Sequence, residues 1–467
     1  MQIPILSGIY TDTVADIRTS YPVNMVPVPK QSGINAGYLR PAYGAVKLGG
    51  IQGQPRGAIN WNGVLYAVIG DKFVSIDEYS VVTIIGNVGN DGLHTTMVYS
   101  FDRLAITSAN KLFYYNGSAL TQVTDADLGR ALSVAWINGY FITTDGDYLV
   151  STDITDPTSV SPLKYGSSEY DPDPIVGVIV HRTELYAINR YSIEAFQITP
   201  STGFPLERIE GAQIPKGSVG PNAFCLYAES IAFVGGGRNS PTSVYIGSNG
   251  SAVKIATDEI ENVLSAYTEI ELYKTVLKSR AQDGHEYLWI SLPDRTLIYD
   301  VTSSVIMGSP IWCTLTSSTD GFSRYRLIDP VYIYNKWIVF DADTGDFGYM
   351  SKETMRQFGA VYRWEFATPI VYNEGRGAVF HSIELQCITG RAESGDTPYV
   401  STSYSTDGIT WSQDRVIAAG VSGERRKRLV WFRQGHMKNW RTQRFRGDSK
   451  AIIAPIRIEA NMEPLAV

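Results

Sequence analysis

Cysteine and histidine are scarce in this 467-residue chain, with three Cys (Cys225, Cys313, Cys387) and five His (His94, His181, His285, His381, His436). Three widely spaced thiols give neither a disulfide framework nor a zinc pattern and point to synthesis in a reducing cytoplasm. No two histidines stand at ligand spacing, and no Gly-rich phosphate loop, G-x-S-x-G elbow or H-E-x-x-H occurs. Asp341-Ala342-Asp343-Thr344-Gly345-Asp346 has the acids of a calcium loop. However, it puts Gly345 where a ligand belongs and Asp346 where the turn glycine belongs, and reads as a solvated turn. No apolar run nears the roughly 18 residues of a membrane span. Met1 to Leu6 lacks the basic start of a signal peptide. Catalytic residues, a metal and a cofactor are therefore not expected, nor is membrane insertion.

What is abundant is β structure. The chain is 44% hydrophobic and 12% aromatic, with 29 Tyr, a residue suited to half-wet strands and interfaces. Seven polar turns are each followed at once by an apolar strand: Asn62-Gly63, Asp102-Arg103, Asn138-Gly139, Thr183-Glu184, Glu229-Ser230, His285-Glu286 and Asn335-Lys336. They recur every 36 to 56 residues, and most follow another apolar run. A period near 45 residues with several short strands per repeat is that of a β-propeller blade. The fold class expected is all-β: a propeller of six or seven blades with a short helical insertion, followed by a C-terminal β-sandwich-like domain.

The boundaries follow from changes of pattern. Residues 1–54, rich in proline and glycine (Pro22, Pro27, Pro29, Pro41, Gly33, Gly37), read as an extended arm lying on other surfaces. Residues 55–351 hold the repeats. Within them, Asp258 to Leu264 has apolar positions at 260, 263, 264 and 267 behind an acidic first turn, which predicts a helix inserted between blades. Residues 352–467 switch to alternation, as in His381 to Cys387 and Tyr399 to Tyr404, which suits antiparallel sheets with one wet face.

Charge is uneven. From Arg415 to Lys450 eleven Lys or Arg face only Glu424 and Asp448, a local +9, while the rest carries 29 basic and 45 acidic residues, or −16. Arg425, Arg426, Lys427, Arg428, Arg433, Lys438, Arg441, Arg444 and Arg446, interleaved with Trp431, Phe432 and Trp440, are the candidate contact residues. Such a run can neutralise phosphates and stack on bases. It can equally form a solvated strand face bridged to acidic neighbouring subunits.

Three passages carry a family resemblance. The first is Tyr21-Pro22-Val23-Asn24-Met25 with Pro29-Lys30 and Gly37-Tyr38-Leu39-Arg40-Pro41. The second runs from Asp283-Gly284-His285-Glu286-Tyr287-Leu288-Trp289 through Leu297 to Asp300 and Trp312-Cys313. The third is Ser405-Thr406-Asp407-Gly408-Ile409 with Arg428-Leu429-Val430-Trp431. In order and spacing these resemble the packaged-DNA stabilisation proteins, the tail hub or nozzle subunits of short-tailed, podoviral bacteriophages. The resemblance implies a structural virion protein of the tail, made in the host cytoplasm, that forms a homo-oligomeric ring, usually a hexamer. Its implied neighbours are the portal adaptor above, a tail needle or plug, tailspikes or tail fibres, and genomic DNA in the channel. A second reading comes from Ser405 to Trp411, which resembles the Asp-box hairpin of sialidases with one residue missing between the Asp and the Gly. It implies a carbohydrate-binding or sialidase-like propeller acting on host glycans.

Overall fold

A computed structural model describes residues 2–3, 21–30, 37–201, 203–373 and 376–465, and the chain is built almost wholly of antiparallel sheets. Seven of these follow one another over residues 55–87, 96–122, 133–167, 175–208, 217–254, 276–315 and 327–351. Neighbouring sheets touch near their first strands, and Leu327–Ile333 of the seventh meets Pro55–Trp61 of the first, so the ring closes with seven blades. Seven apolar clusters lie between successive blades. Between the first and seventh, for example, Leu65, Ala67 and Ile69 bury against Phe340 and Phe347.

Each recurring turn joins the first two strands of a blade, and in six of the seven, all but Asp102-Arg103, left-handed backbone makes it tight. Asn62 and Gly63 (φ 52° and 76°) and Asn138 and Gly139 (φ 45° and 92°) adopt it in the predicted places. In four blades the turn falls earlier than the polar pair suggested: at Arg182-Thr183, Ala228-Glu229, Asp283-Gly284 and Tyr334-Asn335. In three of them the second polar residue already begins the second strand, and in the sixth blade both His285 and Glu286 lie within it. Tyr334 takes φ 54°, unfavourable for an aromatic residue, and its hydroxyl donates to Ile76 O (2.8 Å) and accepts from Leu65 N (3.3 Å) of the first blade. The turn thereby latches two blades.

The predicted helix is present as α1 (Asp258–Ser265), with Ile260 and Leu264 buried. It continues into α2 (Glu269–Tyr273), whose capping box of Thr268 and Glu271 was not read from the sequence. A third helix, α3 (Val301–Met307), interrupts the sixth blade.

Residues 363–464 form two facing sheets. One pairs Ala378–Ile388 with Ala454–Pro464 and Leu429–Phe432, and Gln2–Ile3 adds to its edge. The other pairs Trp440–Asp448 with Arg363–Ala367 and Tyr399–Ser405, the last of which pairs with Arg415–Ala418. Trp364, Phe366, Phe380, Trp431 and Phe445 fill the space between.

Within the segment read as an arm, residues 1, 4–20 and 31–36 lie outside the described residues; the described remainder is built into the fold. Met25–Pro29 and Gly37–Pro41 form a two-stranded ribbon whose faces bury in different cores. Met25 and Leu39 enter the sandwich core, while Val26, Ala42 and Ala45 join Tyr287, Trp289 and Val339 between the sixth and seventh blades. The next strand, Gly44–Gly50, is the fourth strand of the seventh blade, paired from Gly44↔Ser351 to Gly50↔Asp346. The ring is thus closed by an early part of the chain, and the ribbon fastens the sandwich to it.

Candidate functional site

The basic run does not behave as one surface. The loop before Leu429–Phe432 and the turn after it leave Arg425, Arg426, Arg433 and Lys438 exposed, with no ion pair among the described residues. Arg428 is exposed but forked onto Glu384 (Nε to Oε1 2.8 Å), and Lys427 Nζ lies 3.5 Å from Glu424. Arg446 pairs with Glu365 (2.7 Å) and approaches Asp414 (3.7 Å). Arg444 lies 4.0 Å from the Trp411 ring centroid and donates to Ser403 Oγ.

Arg441 is withdrawn from any partner: it is 1% exposed, inside the sandwich. Its guanidinium donates to Gln434 O (2.6 Å) and twice to Gln443 Oε1, between the rings of Phe380 and Tyr404. Burial without a carboxylate brings its pKa down to about 10. Strand alternation explains the split, since alternate residues of Trp440–Asp448 face opposite sides of the sheet.

Asp407 is absorbed by its own turn. Its carboxylate accepts from Ile409 N (2.9 Å), Thr410 N (2.7 Å), the Thr410 hydroxyl and Ser405 Oγ, which hold it well below the usual carboxylate range. Asp341, at the calcium-like loop, is fully buried and accepts from Arg326 and from Asp343 N.

Two histidine clusters stand out. His285 Nδ1 lies 2.7 Å from Asp300 Oδ2 and 3.3 Å from Ser303 Oγ. Both contacts use one ring nitrogen, whereas a nucleophile–base–acid relay uses both. Ser303 is fully buried, and Asp300 caps α3 through Ser303 N (3.1 Å), so the cluster is a helix cap.

The other lies where the inner strands begin, in a cavity of about 350 Å³ lined by the first, fifth, sixth and seventh blades. His94, from the linker between the first two blades, reaches Asp329 of the seventh (2.7 Å). Lys278 of the sixth lies 3.5 Å from the same oxygen, and Asn222 of the fifth donates to His94 O (3.2 Å). Burial alone would raise the Asp329 carboxyl, but His94 and Lys278 outweigh it and hold it far below its ordinary value. Asp329 sits on a bulge with φ 50°. These long-range contacts leave no local signal in the sequence.

The residues that carried the resemblance sit mostly at the junction of ribbon, ring and sandwich. Asn24, fully buried with φ 55°, donates to Thr316 O (2.9 Å) and Arg363 O (2.7 Å) and accepts from Thr316 N (3.1 Å). One amide thereby ties the sixth blade to the start of the sandwich. Asp283, in the mid-chain turn, gathers Arg40 (3.1 Å), Tyr43 and Lys352 (2.5 Å).

Two family descriptions divide the chain as the structure does. The tail hub protein gp10 of Salmonella phage P22 is 28% identical over 459 residues, covering 94% of each chain. Among solved structures, the N-terminal domain of Nup159 aligns with 69% of this chain and 97% of its own at 11% identity and a TM-score of 0.42. The Neurospora crassa Pan2 WD40 domain aligns with 66% and 95% at 10% identity and a TM-score of 0.42. The family description "Bacteriophage P22 Gp10, beta-propeller" matches residues 1–355 and its companion "beta-sandwich" matches residues 363–463, so the chain belongs to the P22 Gp10 family of bacteriophage tail hub proteins.

Proposed function

We propose that this protein is a tail hub subunit that works by gripping and sealing. Several copies, six by the family resemblance, form a ring below the portal and its adaptor once the head is full. The ring lengthens the channel through which DNA leaves, seats a needle or plug, and carries tailspikes or fibres on its outside. The observation that carries this reading is the relative named for the tail hub, matched nearly end to end with both regions in the same order. The architecture supports it. A closed seven-bladed ring leaves few free strand edges, and the ribbon makes a second region part of the same stiff body. The acidic, serine and histidine groupings described above are engaged in turns, caps and blade contacts, which favours mechanical work over turnover.

The test is to make particles without the chain. Heads should fill and then lose nuclease-protected DNA, and supplying the protein should restore retention. Heads that stay full without it would refute the proposal.

A further inference from the structure

The proposed ring requires one copy to grip the next, and two exposed patches on this chain are complementary enough to do so. The first is on the sandwich, along the edge made by Arg415–Ala418 and Leu429–Phe432. Phe432 is 69% exposed and Val416 58%. Arg415 lies beside Phe432, donating to its carbonyl (2.8 Å), and Arg425, Arg426 and Arg433 border the strand with no acid to pair them. The second is on the rim of the third blade. Leu163 is 78% exposed and Tyr148 49%, with Tyr148 edge-on to Tyr165. Asp125, Asp127, Asp145 and Asp147 lie about Tyr148 and Tyr165 and form no ion pair among the described residues; Arg130, a cation beside them, donates to Asp145 O (2.9 Å). The Tyr165 hydroxyl donates to the Asp127 carbonyl and Tyr148 N donates to Asp145 Oδ1 (2.7 Å); burial first, and then Asp127, Asp145 and Asp125, raise the Tyr165 hydroxyl.

The patches match in kind, each having an apolar centre and a charged border, of opposite sign. They are also far apart. The sandwich is fastened to the sixth and seventh blades, and the third blade lies across the ring from it. A contact between unlike patches at opposite ends of a subunit is heterologous, and it closes into a ring when the rotation permits. DNA is the weaker occupant for the basic edge, because Arg428, Arg444, Arg446 and Lys427 are already engaged and Arg441 is buried. Phosphate binding would draw on an uninterrupted run of free cations.

We propose that the basic, Phe432-centred edge of the sandwich docks on the acidic rim of the third blade of a second copy. This rests on the ring reading above.

Sedimentation of the full chain tests it, using two charge reversals: R425E/R426E/R433E on one patch and D127K/D147K on the other. Asp127 and Asp147 are both exposed, and neither side chain appears in a turn or cap bond. Each reversed protein, folded by circular dichroism, should self-associate at least tenfold more weakly than wild type. An equimolar mixture should recover association, because each then offers the other a complementary patch. Wild-type association unaffected by either reversal, or no recovery in a mixture of folded variants, overturns the interface but not the ring. A wild type that stays monomeric at every concentration overturns both. If R425E/R426E/R433E instead abolishes binding of a duplex oligonucleotide while association persists, the edge is a DNA contact and the proposal is wrong.

Discussion

A blade of the propeller is made of strands adjacent in sequence, whereas the sandwich draws each sheet from distant segments. Lys72–Ile76 pairs with the strand just before it, while Gln2–Ile3 pairs with Ala454–Pro464 and Arg363–Ala367 with Trp440–Asp448. Between these regions the ribbon Met25–Pro29 and Gly37–Pro41 spends one face on each. Local pairing makes a repeated, stiff ring at low loop-closure cost, and distant pairing makes a second region whose stability depends on chain ends being home. The single breach of locality in the ring is the seventh blade, completed by Gly44–Gly50. Ribbon and closing strand are continuous, so fastening the sandwich and closing the ring are one event in structure.

The sharpest way to break this relation is at the weld. Asn24→Ala leaves Thr316 O, Arg363 O and Thr316 N without their partner in a buried place, and should cost roughly 3 kcal/mol. Denaturation should then separate into two transitions, one for each region; a single transition at the original midpoint would show that the weld lies elsewhere.

A smaller effect, arising in the sandwich, is expected at Arg441. Arg441→Ala strands Gln434 O and opens a gap between Phe380 and Tyr404, for about 2 kcal/mol. Arg441→Met, which fills the volume without a buried charge, should cost less than about 1 kcal/mol. Urea denaturation of both variants checks this: a Met variant as costly as Ala would show that the lost bonds to Gln434 O and Gln443, common to both, outweigh the filled volume. Because the two regions open together, each substitution should lower the protection of core amides in blades and sandwich by the same amount.

The smallest effect arises in the ring. The carboxyl of Asp329 titrates far lower in the folded chain than in the unfolded one. Its contribution is therefore complete above the unfolded value of about 4 and fades as pH falls from there toward the folded value. Melting of wild type and Asp329→Asn across pH 2–6 should converge at the acid end, with the wild type the more acid-sensitive; parallel curves would show that the pair with His94 and Lys278 contributes nothing.

The same contrast explains what the sequence made legible. The blades were readable because each holds its own turn and apolar strands, down to Asn62-Gly63 and Asn138-Gly139, and the helix at Asp258 because its apolar spacing is local. The sandwich was readable as a class, from alternation, but not in its pairing. The extended backbone of Met25–Pro29 and Gly37–Pro41 was legible from its prolines; that Gly44–Gly50 would be a blade strand was not, because its partner lies some 300 residues away. Of the basic run, composition picked out the residues but not their fates. Arg425 and Arg441 look alike in sequence, and only their placement, a loop for the first and a sandwich strand for the second, decides which is wet and which is buried.

The most direct test of one stiff, two-part body is hydrogen exchange of the wild-type full chain in increasing denaturant, read by fragment. The core amides of blade strands such as Leu65 to Ile69 and of sandwich strands such as Ile383 to Leu385 should open with one common free energy. Sandwich amides that exchange through a separate, cheaper opening while the blades stay protected would contradict it.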